Sequence, residues 1–364
     1  MFRLMIAGGG TGGHLYPGIA VAEEAIKDGS EVLFVGTEKG IEARVLPREG
    51  FTLKTIRAGK FKGVGVADRM RTMLTIPMGI ADSVRIIKGF RPDAALGVGG
   101  YASFPALVAA RLMGVPVVIQ EQNAYPGLTN RTLGRFASAV ALGFREAGGF
   151  FPAGRARHTG NPIRAGLLSA DRAKALTDFG MEDGRTTVLV FGGSGGAHRI
   201  NKAVAEVLPY LKEFTRGVQF IHQTGEKDLD MVNDAYKNAG FTATVLPFIY
   251  DMAGAYACAD LALCRSGALT LAELTVLGKP ALLIPYPYAA NNHQEVNARA
   301  LEKAGAARVI LDSEASGERL AGELIGLIND RDALLGLAGR SLTLGRADAA
   351  RRVLDICIGV SKGN

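Results

Sequence analysis

A chain of 364 residues is longer than one hydrophobic core usually serves, so two domains are the first expectation. Apolar residues make up 48%, ample for two buried sheets, and the 48 glycines cluster in short loops without a fixed period, which rules out collagen-like and low-complexity chains. Three scattered cysteines (Cys258, Cys264, Cys357) exclude a disulfide framework and a zinc site and fit a reducing cytosol. Lys and Arg outnumber Asp and Glu by 42 to 35, and this excess of +7 favours anionic partners: phosphates, nucleic acid or an acidic membrane surface.

Met1 to Ala7 is too short for a signal peptide and runs directly into a glycine loop, so it reads as a first strand, Arg3–Ala7. Gly8-Gly9-Gly10-Thr11-Gly12-Gly13 then fits G-x-G-x-x-G ahead of a helix over Leu15–Asp28. Backbone N–H groups and the helix dipole there suit an anion, although tight strand–helix packing explains the glycines as well. His14 stands at the start of that helix, where the dipole disfavours imidazolium; a neutral ring acting as a base and a structural histidine both fit. The second strand, Glu31–Val35, closes on Phe34-Val35-Gly36-Thr37 without the acid that a dinucleotide site wants, which weakens an oxidoreductase reading.

Residues 57–91 combine Arg57, Lys60, Lys62, Arg69, Arg71, Arg85, Lys88 and Arg91 with apolar side chains. Met70, Met73, Leu74, Pro77 and Ile80 can form one helical stripe toward the core, leaving Ile76 and Met78 outside it for a shallow membrane contact; a basic solvated helix is the plainer reading. The longest apolar stretch, Ala102 to Ile119, is broken by Pro105, Arg111 and Pro116 and is no membrane span, so any membrane contact is peripheral. Strands over Ala94–Gly97, Val115–Gln120 and Ala139–Leu142 complete the first half, with a boundary near Gly160-Asn161-Pro162.

The second half repeats the opening: a strand (Thr187–Phe191), a glycine loop (Gly192-Gly193-Ser194-Gly195-Gly196) and a helix (Ile200–Leu211). Ser194 could give its hydroxyl to a phosphate, or be a plain turn serine. Strands over Val218–His222, Ala243–Leu246, Leu261–Cys264, Ala281–Ile284 and Ala307–Ile310 follow. Alternation of strands with helices signals parallel sheets covered on both faces. Asp228-Leu229-Asp230 has D-x-D metal spacing but lies in a charged helical stretch and reads as a solvated face; no other cluster has convincing ligand spacing, so no essential metal is expected.

Ser266 reads as the N-cap of a helix over Leu269–Leu277, and Gly267-Ala268 keep that entrance open so that its N–H groups could bind a diphosphate. Glu273, two turns in, suits a ribose diol, and the apolar face of Leu269, Leu271, Leu274 and Leu277 implies a partner for it. His293, Gln294 and Asn297 open a helix over Gln294–Ala304, placed for sugar hydroxyls or for simple capping. The closing amphipathic helix, Ala347–Val360, often crosses back onto the first domain in two-lobed folds of this kind.

Several stretches resemble the MurG-type N-acetylglucosaminyltransferases of bacterial peptidoglycan synthesis over essentially the whole chain. They are Gly9–His14 with Pro17-Gly18, Gly97–Tyr101, Glu121-Gln122-Asn123, Gly160-Asn161-Pro162 with Arg164, Gly192-Gly193-Ser194, Phe248-Ile249 with Met252, and Cys264–Thr270. The resemblance implies an α/β chain of GT-B glycosyltransferase fold, two Rossmann-like parallel-sheet domains facing a central cleft. Residues 1–163 would form the acceptor and membrane side, rejoined by helix 346–364, and residues 164–345 would bind the donor.

The implied donor is UDP-N-acetylglucosamine, and the acceptor is the lipid-linked N-acetylmuramyl-pentapeptide (lipid I). The product is the lipid-linked disaccharide-pentapeptide (lipid II), made at the cytoplasmic face of the cell membrane with no cofactor, no metal and no nucleic acid. Donor contacts carried over by the resemblance are Thr11, Gly12, Gly13, Asn123, Arg164, Ser194, Ile249 and Gln294, with Ala268, Leu269, Thr270 and Glu273 nearby. Tyr288-Ala289-Ala290-Asn291-Asn292 departs from the family in lacking the charge often found there. The implied chemistry is one inverting displacement, with His14 as base and Glu121 as the alternate, and with Arg164 and the helix starts after Ser194 and Ser266 stabilising diphosphate charge. The rival readings are a UDP-N-acetylglucosamine epimerase of the same fold and a dinucleotide-binding oxidoreductase or NAD sensor.

Overall fold

The computed structural model describes residues 1–59, 66–193 and 195–363, with side chains described outside 66–74. It divides into two compact units, one of Met1–Arg164 with Arg346–Asn364 and one of Ala165–Gly345.

In the first unit the strands are β1 (Arg3–Gly8), β2 (Glu31–Gly36), β3 (Leu53–Thr55), β4 (Ala94–Gly99), β5 (Val117–Glu121), β6 (Ala139–Leu142) and β7 (Ala156–His158). Among the described residues they pair, all parallel, in the order β3-β2-β1-β4-β5-β6-β7. The helices between them are α1 (Gly12–Lys27), α2 (Glu42–Arg48), α3 (Val66–Phe90), α4 (Ser103–Leu112) and α5 (Leu128–Leu133). Because alternate strand residues face opposite sides, Leu4 and Ile6 of β1 join Leu15 and Ile19 of α1 in one core. Met5 and Ala7 enter another core with Ala106, Leu107 and Ala110 of α4 and Ile87 of α3. Covered on both faces, the inner strands read as continuous apolar runs, which is why β1, β2, β4, β5 and β6 are legible in the sequence.

The short edge strands β3 and β7, which sequence patterning misses, have one neighbour each and partly exposed side chains. Of the core-facing stripe expected on α3, Met70, Met73 and Leu74 lie outside the described side chains. Pro77 does not face the core as expected: it is exposed. Ile80 does pack against the core, beside the buried Gly79, Ser83 and Ile87. At Gly79 a Cβ would overlap the Arg57 carbonyl and crowd Pro105, so only a missing side chain permits this approach.

The second unit carries β8 (Thr186–Phe191), β9 (Val218–Gln223), β10 (Thr242–Leu246), β11 (Leu261–Cys264), β12 (Ala281–Leu283) and β13 (Arg308–Val309), parallel in the order β10-β9-β8-β11-β12-β13 among the described residues. Its helices are α6 (Arg172–Asp178), α7 (His198–Val207), α8 (Leu229–Ala239), α9 (Met252–Cys258), α10 (Ala268–Val276), α11 (His293–Lys303), α12 (Gly317–Asn329) and α13 (Arg331–Leu344). The helix expected to reach Leu211 ends at Val207 and tightens to a 3-10 segment over Leu208–Phe214, since Pro209 has no N–H for an α-helical bond. Val188, Val190, Ile200, Val204, Phe220, Tyr236 and Leu263 form this unit's core.

The last helix, α14 (Ala349–Lys362), belongs to the first unit. Val353, Leu354 and Cys357 are buried there with Leu4, Ile6 and Leu15.

Candidate functional site

In an open parallel sheet, ligands bind beyond the carboxyl ends of the strands where the strand order reverses. Chain order reverses between β1 and β4 in the first sheet and between β8 and β11 in the second. Each glycine loop leaves its sheet at that point.

In the first unit the two loops of the switch point touch: the Gly9 N–H donates to the Gly99 carbonyl at 3.2 Å. Gly100, at φ +86°, makes the approach possible, because a Cβ there would overlap the Gly9 carbonyl. Thr11 is extended and opens α1 without a side-chain cap. Its Oγ1 lies 3.1 Å from Nδ1 of half-buried His14, whose ring sits over Gly99. From below, Glu42 Oε2 accepts the Gly10 N–H at 2.8 Å.

Glu121, buried at the end of β5, accepts from the Asn123 N–H (2.9 Å), the Gly127 N–H (3.1 Å) and Asn130 Nδ2 (2.9 Å). These bonds fix the loop that presents Asn123. Burial raises the Glu121 pKa, and the bonds pull the other way. Arg164 stacks over the Tyr16 ring at 4.7 Å.

In the second unit, Ser194 lies outside the described residues, but its loop is defined on either side. Gln223, buried where β9 ends, donates from Nε2 to the Gly193 carbonyl at 2.7 Å and accepts the Ile249 N–H on Oε1 at 2.8 Å. One amide thus holds together the glycine loop and the Phe248-Ile249 turn. Gly196 packs on the Thr224 carbonyl so closely that a Cβ would overlap it.

Beneath this loop Asn201 Nδ2 donates to the Thr224 carbonyl (2.8 Å) and to Asp228 (2.8 Å), while Asn201 Oδ1 lies 3.0 Å from His222 Nε2. His222 is completely buried, and that desolvation pulls its pKa down to about 3. Asp228 is not the solvated acid expected from its charged surroundings: its side chain is 13% exposed and bonded to Asn201 and His198. It is structural. Among the described residues no group of three or more His, Cys, Asp or Glu side chains is spaced to hold a metal ion.

Ser266 also departs from expectation. The N-cap of α10 is Gly267, and no side chain caps it. The buried Ser266 hydroxyl donates instead to the Gln294 carbonyl at 2.8 Å, tying the starts of α10 and α11 together. Tertiary contact has outcompeted the local cap. Gln294 Oε1 in turn accepts the Tyr286 N–H at 3.0 Å. Gly267, Leu269 and Thr270 are half-buried around the buried Ala268 at the mouth of α10. Arg265 is held by the Ile284 and Pro285 carbonyls, each at 3.0 Å, and by an ion pair with Asp312 at 2.6 Å. Glu273, half-buried on α10, accepts the hydroxyl of buried Tyr256 at 2.9 Å.

Thr11, Gly12, Gly13 and His14 therefore share the start of α1, while Glu121 ends β5 and Asn123 follows in the loop beyond it. Ile249 joins the second glycine loop through Gln223, and Ser266–Thr270 meet Gln294. The sequence reading missed Glu42, Gln223 and Tyr256. For the first two a signal existed: polar residues in Gly36-Thr37-x-x-Gly40-x-Glu42 and His222-Gln223-Thr224-Gly225 follow the carboxyl ends of apolar strands.

The chain matches the glycosyltransferase family 28 N-terminal domain over residues 4–142 and the family's C-terminal domain over residues 187–353. A protein of Geobacter metallireducens named UDP-N-acetylglucosamine–N-acetylmuramyl-(pentapeptide) pyrophosphoryl-undecaprenol N-acetylglucosamine transferase is 49% identical, covering 97% of each chain. The crystal structure of Acinetobacter baumannii MurG superposes with a TM-score of 0.81 at 32% identity, covering 99% of this chain and 100% of that one. A UDP-N-acetylglucosamine 2-epimerase from Neisseria meningitidis reaches a TM-score of 0.70 at 13% identity, with 99% and 100% covered, which is a likeness of fold alone.

Proposed function

The chain belongs to glycosyltransferase family 28, with the GT-B fold of two Rossmann-like domains, and we propose that it moves N-acetylglucosamine from UDP-N-acetylglucosamine to a lipid-linked N-acetylmuramyl-pentapeptide. The observation that carries this reading is the near full-length identity of 49% to a transferase of that name. The epimerase reading has only likeness of fold behind it.

The second unit would hold the donor. N–H groups at the starts of α7 and α10 face developing negative charge on the diphosphate, and the Ile249 turn would meet the uracil. Glu273 would accept from the ribose hydroxyls, and Gln294 would reach the sugar. The first unit would hold the acceptor, with His14 beside it, and would add the donor contacts Thr11, Gly12, Gly13, Asn123, presented by the loop that Glu121 anchors, and Arg164, stacked on Tyr16.

In the reaction the acceptor 4-hydroxyl oxygen forms a bond to the anomeric carbon, His14 takes its proton, and the C1–O bond to UDP breaks with inversion. Glu121, already engaged by four hydrogen-bond donors, suits holding the loop better than taking the proton. Positioning the hydroxyl and stabilising the leaving diphosphate would lower most of the barrier.

Among the described residues no helix is long and apolar enough to cross a membrane. Peripheral contact with the cytoplasmic face would use α3, where Arg85, Lys88 and Met78 are exposed. Flotation with anionic vesicles tests this: binding indifferent to anionic lipid and salt would overturn it. The activity test is labelled UDP-N-acetylglucosamine with the lipid-linked muramyl acceptor. Label should move into the lipid phase and require acceptor. Conversion of the donor sugar without acceptor would favour an epimerase.

A further inference from the structure

Glu42 is a buried carboxylate with no part in the scheme above. It begins α2 and turns back toward β1 and β2. Its Oε1 accepts the Thr37 N–H (2.9 Å) and the Thr37 hydroxyl (2.8 Å), and its Oε2 accepts the Gly10 N–H (2.8 Å). Three glycines make its cage: a Cβ on Gly9, Gly36 or Gly40 would overlap the Glu42 side chain.

In a dinucleotide domain the acid near the end of the second strand accepts a ribose diol. Here the acid comes six residues after the strand and accepts from the glycine loop itself. Two loop N–H groups that could face a phosphate are already committed, that of Gly9 to the Gly99 carbonyl and that of Gly10 to the Glu42 carboxylate.

We infer that Glu42 is a positioning residue: by holding Gly10 it fixes Thr11, whose hydroxyl sets the His14 ring, and it leaves the first glycine loop unsuited to a nucleotide diphosphate. The inference rests on reading His14 as the base of the transfer. Acceptor chemistry in the first unit then depends on Glu42, while nucleotide binding in the second does not. A misplacement of about 1 Å at such a site costs about a hundredfold in rate.

The test uses the full-length protein and two variants. Glu42→Gln keeps the shape but turns an N–H donor toward Gly10 or Thr37, and Gly40→Ala leaves the carboxylate intact while pushing it from its cage. In each, hydrogen exchange at Gly10 should quicken and kcat should fall at least tenfold, while the Kd for UDP stays within about twofold. If one variant fails to fold, the other decides. Unchanged kcat in a folded variant with faster exchange overturns the inference, as does unchanged exchange. A UDP Kd that worsens in step with kcat also overturns it, by placing Glu42 at the nucleotide. No transfer by the wild type would sink the transferase reading instead, and exchange at Gly10 would still judge the contact.

Discussion

Replacing Glu273 with Gln isolates the contact expected to hold the donor ribose. Glu273 lies in the second turn of α10 and is half-buried, and the Tyr256 hydroxyl fixes its carboxylate at 2.9 Å. Tyr256 is itself buried edge-on against Phe191, 5.9 Å between ring centres, so the acceptor is set before ligand arrives and little side-chain entropy is left to lose. In Glu273→Gln the amide oxygen can replace Oε2 opposite Tyr256, and Gln keeps shape and helix propensity, so folding should change little.

The other position becomes an N–H donor where the ribose diol wants a charged acceptor. Hydrogen bonds to charged groups contribute about 1.5–3 kcal/mol, so the Kd for UDP should rise about 10- to 150-fold by calorimetry. Tyr256→Phe keeps the ring packing and loses the orienting bond, worth about 0.5–1.5 kcal/mol or roughly two- to tenfold. A donor with 2′-deoxyuridine sharpens the assay. The wild type should discriminate strongly against it, and Glu273→Gln hardly at all. Equal discrimination by both proteins would refute the assignment and move the ribose contact elsewhere.

His14→Ala should lower kcat by about 10²–10⁴ with little change in donor Kd; a Kd that worsens as much as kcat/KM falls would make His14 a binding residue. Gln223→Met should leave the Gly193 carbonyl and Ile249 N–H unpaired, weakening UDP binding about tenfold while the Kd-independent fold of the first unit is unaffected, as limited proteolysis and calorimetry would report. Stability should also depend on acid through His222. Its folded pKa, about 3, lies below the unfolded value near 6.5, so the unfolded chain binds the extra proton. The stabilisation is therefore complete above about pH 6.5 and falls as pH drops toward 3, by about 2–3 kcal/mol at pH 4.5. Urea unfolding of wild type and His222→Gln at pH 7 and 4.5 measures it, and identical pH slopes would refute the cause.

Much of the architecture is legible in the chain because it depends on neighbours in sequence. Strands such as Leu4-Met5-Ile6-Ala7 and Val188-Leu189-Val190-Phe191 are buried on both faces and therefore read as unbroken apolar runs. The glycine loops that follow announce the turn into α1 and α7, and the parallel order follows from the helices between strands. The three-residue edge strands β3 (Leu-Lys-Thr) and β7 (Ala-Arg-His) left no such trace, because each carries one apolar residue and stays partly exposed, whereas the edge strands β10 and β13 lie in apolar runs.

The side chains that brace the site were decided only in three dimensions. Ser266 has the local chemistry of an N-cap, yet burial turned its hydroxyl to Gln294, 28 residues on. Asp228 looks solvated among charges until Asn201 and His198 close on it. Glu42 and Gln223 are ordinary polar residues in sequence, and each meets its glycine loop about 30 residues away. Periodicity reports which face of an element is buried. It cannot report which polar group waits there, since a buried donor or acceptor must find whatever partner the packed chain brings within reach.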